Sequence, residues 1–96
     1  MKPSLALSGN RAAIRALVLD HGMLNPRVFG SVSRQEDTDA SDLDILVDPQ
    51  PGTSLLDIAK LQLSLEKKLG VHVDVLTPRA LPDSFREQVI KNAVPV

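Results

Sequence analysis

The chain has 96 residues, enough for one domain with a single modest core. With 43% hydrophobic and 24% charged residues it has the balance of a folded globular protein rather than a disordered one. A net charge of -1 and only two aromatics, Phe29 and Phe85, exclude a basic nucleic-acid surface and base-stacking platforms, and leave the core to aliphatic side chains.

Asn10 to His21 reads as the first helix, with Ile14, Leu17 and Val18 as its apolar stripe and Gly22 in the left-handed position that ends it. His21, in the last turn, suits the helix dipole and is expected to serve the fold rather than chemistry. A short strand is predicted at about Arg27 to Phe29, ending in Gly30-Ser31. Ser31 to about Gln35 is predicted to begin a short helix that aims its amides at this turn. Glu36 to Ser41 is polar loop, and Asp42 to Val47 is a second strand terminated by Pro49, Pro51 and Gly52. The longest helix spans about Ser54 to Leu69. Ser54 and Asp57 resemble a capping box, Ile58, Leu61, Leu65 and Leu69 supply a buried stripe, and Gly70 closes it. A third strand, Val71 to Leu76, stops at Thr77-Pro78. After Pro82, Ser84 and Glu87 form a second capping-box pattern before a last helix to about Asn92, with Phe85 and Val89 inward. Strands alternating with helices predict an α/β or α+β fold, a small sheet layered with helices, and leave open whether part of that sheet is antiparallel.

There is no cysteine, hence no disulfide framework and no thiol chemistry. Neither a secretory leader nor a run of roughly 20 apolar residues is visible, so a cytoplasmic protein is the expectation.

The acidic residues are unevenly placed. Between Arg34 and Lys60 there is no Lys or Arg, yet Glu36, Asp37, Asp39, Asp42, Asp44, Asp48 and Asp57 all fall there. A solvated loop accounts for Glu36, Asp37 and Asp39. It does not account for Asp42 and Asp44, interleaved with Leu43, Ile45, Leu46 and Val47. Alternation along a strand points Asp42 and Asp44 one way and Leu43, Ile45 and Val47 the other. On the third strand Val71, Val73 and Val75 share a face, leaving His72 and Asp74 opposite. If the two strands are neighbours, three carboxylates converge, and their mutual repulsion raises their pKa values unless a divalent cation relieves it. Hard oxygen ligands favour Mg²⁺, with Mn²⁺ possible, and two such ions roughly 3.5 to 4 Å apart can clamp an in-line phosphoryl displacement. Gly30 lets the backbone approach phosphates closely, Ser31 adds a hydroxyl, and Arg34 can neutralise a phosphate oxygen. The substrate this suits is ATP or another nucleoside triphosphate. His72 reads as a strand residue flanking the site rather than a ligand.

Gly30-Ser31, ten residues, then Asp-x-Asp would arise by chance in on the order of one random chain per thousand of this length. Val28-Phe29-Gly30-Ser31 through Ser41-Asp42-Leu43-Asp44-Ile45-Leu46-Val47, with Val73-Asp74-Val75 later, resembles the minimal nucleotidyltransferases of the DNA polymerase beta superfamily over nearly the whole chain. The resemblance implies a nucleotidyltransferase core with two metal ions at Asp42, Asp44 and Asp74. Arg34 matches an arginine common after that family's Gly-Ser pair, and Gln35 stands where many members have glycine. It further implies an antitoxin paired with a HEPN-domain ribonuclease toxin, moving AMP from ATP onto a tyrosine of that partner. A chain of this size scarcely exceeds a catalytic core, so a partner protein serving as both wall and acceptor fits. Two other readings stay open: an antitoxin that blocks its partner by contact alone, and nucleotidyl transfer to a small molecule.

Overall fold

The computed structural model describes residues 1–96. Helix α2 (Arg11–Asp20) carries Ile14 and Val18, both fully buried, one turn apart on its inner face. The chain leaves it through Gly22 at φ +78, as the helix-ending position requires, and Thr53 Oγ1 donates to the Gly22 carbonyl at 2.8 Å. Strand β1 (Met23–Phe29) is longer than the apolar pattern suggests. It accommodates Pro26 because its register against β2 (Leu43–Pro49) shifts between Leu24 and Arg27, with Asn25 at φ +59. The irregularity removes the need for an amide that proline lacks.

Helix α3 (Leu55–Leu69) connects β2 to β3 (Val73–Leu76). Its capping box is complete: Ser54 Oγ accepts from Asp57 N at 3.4 Å and Asp57 Oδ2 accepts from Ser54 N at 2.9 Å. Gly70 ends the helix at φ +72. The crossover makes β3 parallel to β2, while β1 is antiparallel to β2. Strand β4 (Val94–Pro95) adds antiparallel to β1, so the sheet order is β3-β2-β1-β4 and the sheet is mixed. One core holds the domain together. Met23 and Val28 of β1, Leu43, Ile45 and Val47 of β2, and Val73 and Val75 of β3 meet Ile14 and Val18 of α2 and Leu61, Leu65 and Leu69 of α3. Leu46, on the other face of β2, is also buried, and a 3-10 turn at Pro78–Ala80 contacts that strand.

Edge strand β3 is closed by side chains of α3. Val73 N donates to Glu66 Oε2 and Val75 N to Gln62 Oε1, both at 3.1 Å. Helix residues four apart thus match strand residues two apart.

Three expectations need correction. A first helix, α1 (Pro3–Ser8), precedes the one read from the sequence, and Asp37 holds it by accepting from Ser4 N at 2.9 Å. Asp37 is therefore not a solvated loop residue: it is 9% exposed, and the Ser4 amide holds its carboxyl below the usual range. The last helix, α4 (Arg86–Asn92), starts after Ser84, which caps nothing, and Phe85 is 44% exposed rather than inward. Arg86 sets that start. Its guanidinium donates to the carbonyls of Pro78, Arg79 and Leu81 at 2.8, 3.4 and 2.7 Å and to Asp83 Oδ1, pinning the connection that precedes the helix. No helix is long and apolar enough to cross a membrane.

Candidate active site

Alternation along β2 sends Leu43, Ile45 and Val47 into the helical layer and leaves Asp44 on the opposite face. The parallel register sets Asp44 directly beside Asp74, and Leu43 N donates to the His72 carbonyl at 2.9 Å to fix that register. Asp42 immediately precedes β2. Burial first, then the charges of Asp74 and Asp42, then a side-chain hydrogen bond with Asp74 push the Asp44 carboxyl up to about 6, against the pull of Arg34. The three aspartates named from the sequence therefore share one electrostatic neighbourhood. They are not drawn around a single point, for no three His, Cys, Asp or Glu side chains form a ready-made ligand cluster. The donor set nonetheless suits a hard divalent cation: it is all oxygen, and its members repel one another. His72 stands beside the site with a 65% exposed side chain, its Nδ1 at 3.4 Å from Glu66 and 3.8 Å from Asp42.

The turn after β1 explains its glycine twice over. Gly30 has φ +75, a conformation that L side chains rarely adopt, and a Cβ there would overlap Asp44 Oδ2. Ser31 to Gln35 do not form the expected helix. They make successive turns, with Arg34 N on Gly30 O at 3.3 Å, Gln35 N on Val32 O at 3.1 Å and Glu36 N on Ser31 O at 2.9 Å. Gln35 reverses the winding at φ +58 before a second helical turn can form. Val32, 7% exposed, anchors the turn in the core, and Ser33 Oγ donates to the Gly30 carbonyl at 2.9 Å.

Beside this turn lies a cleft of about 470 Å³. Phe29, Gly30, Ser33 and Arg34 form one side and Gln88, Val89 and Asn92 of α4 the other. Of the phosphate-binding candidates, Gly30 and Arg34 line it, while Ser31 and the three aspartates do not. Gly30, in contact range of Asp44, joins the cleft to the carboxylates. Gln88 and Asn92 escaped the sequence reading because a tertiary contact brings them here, and Ser33 because its spacing does not set it apart within the turn. The pairing of Val94 with Val28 folds the end of the chain back beside the turn.

The polymerase beta nucleotidyltransferase family model matches residues 26–96. The chain is 40% identical over 80 residues to a candidate protein adenylyltransferase, MJ0435 of Methanocaldococcus jannaschii, covering 83% of this chain and 86% of that one. It is 39% identical over 67 residues to the protein adenylyltransferase MntA of Thermococcus cleftensis, covering 70% and 68%. A solved candidate minimal nucleotidyltransferase superposes with a TM-score of 0.87 at 45% identity, over 97% of this chain and 95% of that one. A complex of tri-AMPylated Shewanella oneidensis HEPN toxin with MNT antitoxin shares the fold at a TM-score of 0.68 and 22% identity, over 92% and 69%. A family match over residues 26–96, with 40% identity to one relative over 83% of the chain, shows that the chain belongs to the polymerase beta nucleotidyltransferase family, among its minimal members.

Proposed function

We propose that the chain is a Mg²⁺-dependent protein adenylyltransferase that moves AMP from ATP onto a tyrosine of a HEPN-domain toxin, and so acts as its antitoxin. The observation that carries this reading is Asp44, wedged between Gly30 and Asp74 with its carboxyl pushed up to about 6 by burial and by its neighbours. The relatives named as protein adenylyltransferases and the AMPylated toxin complex support protein as the acceptor.

Asp42, Asp44 and Asp74 would hold Mg²⁺, which supplies charge neutralisation at the α-phosphate and the departing oxygen. Gly30 admits the triphosphate close to the backbone, Ser31 offers a hydroxyl, and Arg34 balances charge on the phosphates. The acceptor oxygen bonds to the α-phosphorus, the bond to the bridging oxygen breaks, and pyrophosphate leaves. Asp74, on the outer of the two strands, would take the hydroxyl proton.

The test is incubation with radiolabelled ATP, MgCl₂ and a purified HEPN-domain toxin. Wild type should label the partner, and Asp42→Ala, Asp44→Ala and Asp74→Ala should each lose on the order of a thousandfold or more in rate. An unlabelled partner that is neutralised equally by wild type and Asp42→Ala would overturn the enzymatic reading.

A further inference from the structure

We propose that Gln88 and Asn92 of α4, with Arg34, form the seat for the distal phosphates of the nucleotide, and hence for the pyrophosphate that leaves. This deepens the nucleotidyl-transfer reading above and rests on it. Gln88 and Asn92 are four residues apart and so share one side of the helix, the side that faces Gly30 and Arg34 across the cleft. Their side-chain amides supply four N–H donors, and neither enters a hydrogen bond within the protein. Arg34 uses only its Nε internally, on Glu36 Oε2 at 3.0 Å, which leaves both terminal nitrogens for a ligand.

Charge decides which part of a nucleotide belongs here. The aspartates lie outside the cleft, with Asp44 against Gly30, and the α-phosphate must sit with them for transfer. The cleft itself contains one cation, two amides and a hydroxyl, and no carboxylate. Phosphates follow the α-position directly along the nucleotide, and anions are stabilised by such a set of donors. A base would need a flat apolar slot, whereas the apolar lining is limited to Phe29 and Val89. The placement of α4 is itself secured at both ends, by the Arg86 contacts before it and by β4 after it. A chain segment remote from the Gly-Ser turn thus completes its phosphate site.

Gln88→Met and Asn92→Leu remove the donors at nearly constant size, and both positions are exposed, so folding is not at stake. Affinities for ATP, AMP and pyrophosphate are measured with Mg²⁺ by calorimetry. Each variant should weaken ATP and pyrophosphate about tenfold and leave AMP within about twofold. Lys91→Ala, which removes a cation from the same helix but not from the cleft, should leave all three unchanged. Equal weakening of ATP and AMP, no weakening of either, or the same loss in Lys91→Ala would overturn the assignment. Wild type that binds ATP while the variants fail these criteria defeats only the role of α4. Wild type that binds neither ATP nor pyrophosphate defeats the nucleotidyl-transfer reading as well.

Discussion

Asp44 and Asp48 sit on the same face of the same strand, four residues apart, in opposite electrostatic states. At Asp48 burial works to raise the pKa, but hydrogen bonds from Asn25 and Arg27, with the Arg27 charge, overcome it and leave the carboxyl below its usual range. Arg27 reaches it at 3.0 Å from a side chain that is itself 11% exposed. At Asp44 burial has no such answer, and Asp74 and Asp42 add to the penalty. One end of β2 is electrostatically satisfied and stabilises the fold. The other is left in conflict, its carboxyl raised by burial and by two neighbouring carboxylates with no cation to offset them fully.

The contrast can be broken at three points. The largest effect is expected from Gly30→Ala. The added Cβ overlaps Asp44 Oδ2 at a backbone φ of +75, so the carboxylate must move. A displacement of that kind should lower adenylyl transfer about a hundredfold, while thermal melting shows a loss of only about 1 kcal/mol in stability. At the satisfied end the balance reverses. Arg27→Ala leaves Asp48 without its cation and should cost about 2 kcal/mol, less than for a fully buried pair because the Asp48 side chain is 43% exposed. Nucleotide affinity should stay within about twofold, read by calorimetry at a temperature where both proteins are folded.

The smallest effect sharpens the comparison by pH. A carboxyl that moves from 3.8 unfolded to about 6 folded binds its proton more tightly in the native state, so its ionisation weakens the fold as pH rises through that window. Without Mg²⁺, Asp44→Asn should therefore be as stable as wild type at pH 4 and more stable at pH 8, by on the order of 1 kcal/mol at this half-exposed site. Melting curves at the two pH values measure it. Asp48→Asn should do the opposite: its loss is present at pH 8 and fades as acid protonates the wild-type carboxyl.

What could be read from the residues was local or periodic. The stripe of α2, the Ser54–Asp57 capping box, the left-handed Gly70 and the alternation of Leu43, Ile45 and Val47 each follow from spacing alone, and each is present. Strand adjacency was an assumption, and the pairing of Asp44 with Asp74 supports it. The misses were tertiary. Six-residue α1 is too short to announce itself and depends on a carboxylate 33 residues away. The N-terminal half of β1 was hidden by Pro26, whose missing amide the register shift makes irrelevant. The helix expected after Gly30-Ser31 is cut short by the left-handed backbone of Gln35. Ser84 and Glu87 have the letters of a capping box, yet the helix starts at Arg86 with Phe85 at its cap, so Ser84 caps nothing. For the same reason the site was half legible: Gly30, Asp42, Asp44 and Asp74 carry a pattern, whereas Gln88 and Asn92 reach the cleft only because β4 returns to β1.

The Gln62 and Glu66 contacts to β3 bear on how this small domain can meet other proteins. An outer strand with free amides is a template on which a foreign strand can continue the sheet, in aggregates as readily as in complexes. Here the helix answers those amides itself, so recruitment along that border would first have to strip away two hydrogen bonds. A strand arriving there competes with acceptors already in place, so this border is a poor template for extending the sheet.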